Sequence, residues 1–84
     1  MWAKLGDDGS YQEFRYTIWE WDDVPELSKT TPSPDTPTVT WYLQPPLPTT
    51  DKPGLWMTSA TLRNADTLIS EWTTPVRING ENGS

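Results

Sequence analysis

Eight of the nine prolines fall between Asp22 and Pro53, and that single feature limits what the chain can become more than any other. Proline offers no ladder donor and breaks helices, so this third of the sequence is confined to extended, polyproline-like or looped backbone. The threonines that accompany it point the same way. Helix is excluded there, and the flanking segments carry β patterns.

Upstream, Tyr11 to Trp21 alternates with period 2 and is rich in aromatic and β-branched residues. It predicts a strand with Phe14, Tyr16 and Ile18 inward and with Trp19 and Trp21 together on the outward face. Within the proline segment, Thr38 to Leu43 is proline-free and predicts a short strand carrying Val39, Trp41 and Leu43 on one face, with Tyr42 opposite Trp41. The 16 residues from Asp22 to Pro37 are then a long connection, read as an ordered crossing between sheets, with a partly disordered Thr/Pro linker as the alternative.

The clearest β signal lies downstream. Leu55 to Arg63 predicts an interior strand, since neither of its faces is charged before Arg63. Trp56, Thr58, Ala60 and Leu62 share one face. Asn64-Ala65-Asp66 suits a tight turn, because Asn and Asp tolerate positive φ. The return strand holds Leu68 and Ile69, is interrupted over Ser70 to Pro75, and resumes at Val76 and Ile78 as a kinked edge. Together these segments predict an all-β fold, a small antiparallel β-sandwich with a Pro/Thr-rich crossing loop.

At 84 residues the chain holds one such unit, flanked by a connector over residues 1–10 and another over 80–84, with the module between at 11–79. Gly6-Asp7-Asp8-Gly9-Ser10 and Gly80-Glu81-Asn82-Gly83-Ser84 match at an offset of 74 residues, the pattern of a tandem array cut at equivalent junctions or of chance recurrence. The first residues lack the continuous apolar region of a signal peptide. A unit this small buries only about 60–65% of its unfolded surface, and with no cysteine and no histidine the usual staples are missing. Six tryptophans must carry the core.

The same residue types narrow the functions. A net charge of −6 with six scattered cations excludes a phosphate-binding surface, so no nucleic-acid partner is expected. No apolar stretch approaches the roughly 20 residues of a spanning helix, so no membrane insertion is expected either. Asp7-Asp8-Gly9 and Asp22-Asp23 lack the ligand spacing of a calcium loop, the serines and threonines have no histidine or cysteine to work with, and a Ser-Lys arrangement would need Ser28-Lys29 placed by chance. Asn82-Gly83-Ser84 fits a glycosylation acceptor but reads as connector. No catalytic residue, cofactor or metal is expected, and the protein reads as a non-enzyme. The candidate binding residues are Trp19, Trp21, Trp72 and Tyr42, because indole and phenol faces can take the apolar side of a sugar ring or pack on a partner. Packing between modules is the competing use of the same side chains.

The run Pro53-Gly54-Leu55-Trp56-Met57-Thr58-Ser59-Ala60-Thr61-Leu62, with Asn64, Ser70-Glu71-Trp72 and Pro75-Val76-Arg77-Ile78, resembles the final hairpin of fibronectin type III domains. Thr38-Val39-Thr40-Trp41 looks like the tryptophan strand near the start of that immunoglobulin-like fold. The strands between would not fit from Pro48 to Pro53, a departure from the type III pattern. A closer resemblance is to repeated modules of bacteriophage and prophage tail-fibre or tail-tip proteins, carried by Leu55-Trp56-Met57, Ser70 to Ile78 and Gly80 to Gly83. It implies a structural or adhesion repeat in a virion tail or at the bacterial cell surface, extending a fibre and positioning host-receptor-binding parts. The implied partners are neighbouring modules of the same chain and a host-surface glycan or protein receptor. Full-length fibres of that kind are commonly homotrimers, and the sequence selects neither trimer nor monomer for the module. A carbohydrate-binding module using the exposed tryptophans is the alternative function.

Overall fold

The structure, a computed structural model, describes residues 9–64 and 66–79. Four strands form one antiparallel sheet: β1 (Ser10–Trp19), β2 (Gly54–Arg63), β3 (Thr67–Ser70) and β4 (Val76–Arg77). β2 is central, with β1 along one side and β3 and β4 in succession along the other. Its two uncharged faces predicted this interior position. The expected all-β architecture with an antiparallel sheet is present. Of the two sheets of a sandwich, the described residues contain one; of the connectors expected at 1–10 and 80–84 only Gly9 and Ser10 are described, and Ser10 already pairs with Arg63 as the first residue of β1, while the rest and the repeat they suggest lie outside the described residues.

The hairpin between β2 and β3 closes at Asn64, whose φ of 60° is the left-handed conformation that Asn tolerates better than most residues. On the far side, Ser70 pairs with Thr61 and Leu68 with Leu62, so Ile69 is bulged out of the ladder. That irregularity turns Ser70 to the outer face beside Thr61, β3 ends there, and the chain beyond it brings Trp72 under the sheet. Thr73 holds the gap shut, with its N–H donating to the Ser59 carbonyl at 3.0 Å and its own carbonyl accepting from Thr58 Oγ1 at 2.6 Å. β4 then rejoins β2 opposite Trp56 and Met57. Asn79 ends the ladder: its side chain accepts from Leu55 N–H and donates to the Pro53 carbonyl, standing in for a further strand residue.

The second layer is the Pro/Thr-rich segment itself. It crosses one face of the sheet without strand structure of its own, so it is a layer rather than a crossing between two sheets. Its polar backbone is satisfied locally. Ser28 N–H donates to the Pro34 carbonyl, Thr36 N–H to the Val39 carbonyl, Thr36 Oγ1 accepts from the N–H groups of Thr38 and Val39, and Asp35 accepts from Trp41 N–H at 2.7 Å. Threonine and serine hydroxyls thus replace the ladder that the prolines deny. Pro25 and Pro34 are fully buried beneath it. The core lies between layers. Val39, Trp41 and Trp56 form one cluster, Ala60, Leu62 and Trp72 a second, and Leu27 packs against both.

Two expectations are corrected. The strand predicted over Thr38 to Leu43 is reduced to a single bridge, Tyr16 with Tyr42, and Leu43 points into solvent, 70% exposed. Pro45 and Pro46, two residues further on, have no N–H with which to continue a ladder. The facing of β1 is also the reverse of that expected. Thr17 lies opposite Trp56 and is 3% exposed, whereas Phe14 is 41% exposed. Register with β2 decides the matter: cross-strand partners share a face, so the residues opposite Trp56, Thr58 and Ala60 go inward whatever their polarity. Trp19 therefore faces the core layer, and Phe14, Tyr16 and Ile18 face away from it.

Candidate functional site

The first thing the geometry decides is the fate of the indoles. Trp41 Nε1 donates to the Glu26 carbonyl at 3.1 Å, Trp56 Nε1 to the Glu20 carbonyl at 3.2 Å, and Trp72 Nε1 to the Thr31 carbonyl at 2.9 Å. Two of these indoles reach from the sheet side into the backbone of the 20–31 segment, and the third ties two parts of the Pro/Thr layer together. Each ring fills the core while its single polar atom fixes a carbonyl that the irregular chain leaves without a ladder partner.

Of the four predicted binding residues, Trp72 is 1% exposed and belongs to the core, with its backbone N–H also donating to the Lys29 carbonyl at 3.2 Å. No indole face remains there for a ligand. Trp72 lies past the end of β3, held against Ala60 and Leu62 through the Lys29 and Thr31 carbonyls, and contacts so far apart in the chain are not visible in the sequence. Trp21 lies beyond the end of β1 and is half-buried, with the Arg77 guanidinium 4.0 Å from its ring centroid and Arg77 Nη1 donating to the Trp21 carbonyl at 2.9 Å. Trp19 packs against the Val39, Trp41 and Trp56 cluster and carries Lys52 Nζ 5.2 Å above its ring. Cations thus occupy positions over both rings where a sugar would stack. Trp19 and Trp21 do not form a paired platform on one strand face, because the strand ends at Trp19.

The structure does bring Trp19 and Tyr42 to one place. Together with Thr17, Ile18, Thr38, Val39, Thr40 and Lys52 they line an open cleft of about 240 Å³ beside the edge of β1. That volume is below the roughly 300–1,000 Å³ of sites that enclose a drug-sized ligand. Among the described residues no cluster of His, Cys, Asp or Glu is arranged to hold a metal ion.

A larger surface lies on the face of the sheet turned away from the Pro/Thr layer. Ile18 and Leu55 are cross-strand partners there, with Ile78 N–H bonded to the Leu55 carbonyl; Tyr16, Met57 and Val76 form the next row, which Tyr42 extends by its bridge to Tyr16; Phe14 stands opposite Ser59. Phe14, Tyr42, Val76 and Ile78 are between 41% and 52% exposed. Sequence reading found the apolar stripe of β1 but assigned it to the core, and it missed the cations Lys52 and Arg77 over the indoles. Only Tyr42 among the predicted residues lies on this face, opposite in sense to Trp41 as expected.

Comparison with protein-family models, with curated proteins and with solved structures finds no match to this chain.

Proposed function

We propose that the chain is a non-catalytic structural module of a phage or prophage tail protein, one that extends and stiffens a fibre or tip and positions host-receptor-binding parts in the virion tail or at the bacterial surface. The observation that carries the reading is the use of the indoles: Trp41, Trp56 and Trp72 are committed to closing the module rather than to a ligand. The resemblance of the Leu55 to Met57 and Ser70 to Ile78 segments to tail-protein repeats supplies the biological setting. In this reading the Pro/Thr layer stands where a fibronectin type III-like sandwich has its second sheet, and neighbouring modules of the same chain are the first partners.

Carbohydrate binding is the second reading, supported by the cleft that groups Trp19 and Tyr42 with the threonines at 38 and 40. One experiment separates them. Immunogold labelling with an antibody raised against the module is expected to decorate the tails of particles from the parent phage, and a sugar panel titrated into ¹⁵N-labelled protein is expected to leave the Trp19 indole signal unmoved. Unlabelled tails overturn the structural reading; saturable shifts at Trp19 that Trp19→Ala abolishes establish the carbohydrate one.

A further inference from the structure

We infer that the sheet face built from Phe14, Tyr16, Ile18, Leu55, Met57 and Val76 pairs with the same face of a second copy of this chain, forming a two-fold dimer. This goes beyond the proposed function and does not depend on it.

The case starts with what the face lacks. The chain has twelve acidic residues and a net charge of −6, yet every strand position on this face, from Gln12 to Ile18, from Leu55 to Thr61 and from Val76 to Ile78, is neutral. Among the described strand residues of this face Arg63 is the one ion, at the far end from Ile18. Of the described acids, Glu13 is on the opposite face, ion-paired to Arg15 at 2.6 Å; Glu20, Asp22, Asp23, Glu26, Asp35 and Asp51 lie in the other layer and its approaches; Asp66 and Glu71 lie off the strand positions, in the β2–β3 turn and just after β3. For two molecules carrying −6 each, association is favoured where the paired strand positions hold no carboxylate, and those of this face hold none. A cationic partner finds nothing on it to bind.

Area agrees. Phe14 and Val76, with Tyr42 and Ile78 beside them, are 41–52% exposed and Tyr16, Ile18, Leu55 and Met57 are part-buried, which against a full accessible surface of about 150–250 Å² for a large side chain comes to on the order of 500 Å² per copy. A pair therefore buries at most about 1,000 Å², the lower limit for a specific interface, so the dimer is expected to be weak. Shape agrees too. A two-fold axis passing beside Met57 lays β2 across β2, sets the Tyr16, Met57 and Val76 rows against each other, and carries the two Arg63 ends to opposite sides of the contact. Face-to-face sheets pack about 10 Å apart, which side chains of this size fill.

Sedimentation velocity from about 1 μM to about 1 mM is expected to show a monomer–dimer equilibrium, and Met57→Lys, which buries an unpaired charge at the centre, is expected to weaken it by about 100-fold or more. Lys29→Ala, on the other layer, is expected to leave it unchanged. A wild-type readout covers the case in which the lysine variant fails to fold. The chain has two methionines, so methyl-¹³C labelling gives Met57 one signal to set against Met1, and that signal is expected to shift with concentration along the sedimentation isotherm. A monomer at every concentration with an invariant Met57 signal overturns the inference. So does a trimer, or association that Met57→Lys leaves intact. A concentration-independent signal that moves only when residues 1–8 are deleted would assign the face to the chain's own N-terminal segment and overturn it equally.

Discussion

Trp72→Ala is expected to leave little folded protein in water. The side chain is among the largest fully buried groups of the chain, packs with Ala60 and Leu62, and fixes the Pro/Thr layer through its Nε1 bond to the Thr31 carbonyl. Truncating a buried tryptophan costs about 3–5 kcal/mol, while a single core in a chain of this size rarely supplies more than about 3–5 kcal/mol in all. The two magnitudes cancel. Near-ultraviolet circular dichroism should collapse and the urea transition should lose its native baseline; a cooperative transition within about 1 kcal/mol of wild type would show that Trp72 is not central to the core.

Gly54→Ala is expected to lower stability by about 2–4 kcal/mol and the thermal midpoint by about 10–25 °C, although it adds a single methyl group. The added Cβ would stand 2.7 Å from Trp56 Nε1, 3.0 Å from the Glu20 carbonyl oxygen and 3.2 Å from that of Trp19. It therefore intrudes on the very bond by which Trp56 holds Glu20. Two of the three obstacles are backbone and cannot swing aside. The glycine is needed for close approach of the β1 exit to the β2 start, and thermal unfolding of the alanine variant measures how closely. A midpoint within a few degrees of wild type would mean the indole has room to move.

How much of this was legible beforehand follows from where the physics is local. β2 was legible because its alternation, its neutral faces and the Asn64 turn are all properties of neighbouring residues. The exclusion of helix from the proline segment was legible for the same reason. The facing of β1 was not, because Phe14, Tyr16 and Ile18 look like a core stripe until the partner's register is known, and Thr17 opposite Trp56 is a fact about two strands. Trp72, beside the kinked edge, could be read for core or for surface, because it lies past the end of β3 and its burial depends on the Lys29 and Thr31 carbonyls, far away in the chain. Trp19 and Trp21 were placed on a shared platform by extending period 2 two residues past the true strand end. The cations over them, Lys52 and Arg77, come from 33 and 56 residues downstream and leave no local trace.

What unites the fold and the proposed role is the set of indole N–H bonds to the irregular layer. Sheet ladders hold only one side of this molecule; the other side is held by ring burial and by the bonds of Trp41, Trp56 and Trp72 to Glu26, Glu20 and Thr31. The most direct test replaces each of these indoles in turn, by chemical synthesis, with benzothienylalanine, which keeps the ring size and exchanges the N–H for sulfur. Each replacement is expected to reduce the unfolding free energy in urea by about 1–2 kcal/mol and to accelerate amide exchange in the Pro/Thr layer before the sheet. Three variants as stable as the wild type, with exchange in the layer unchanged, would contradict the account.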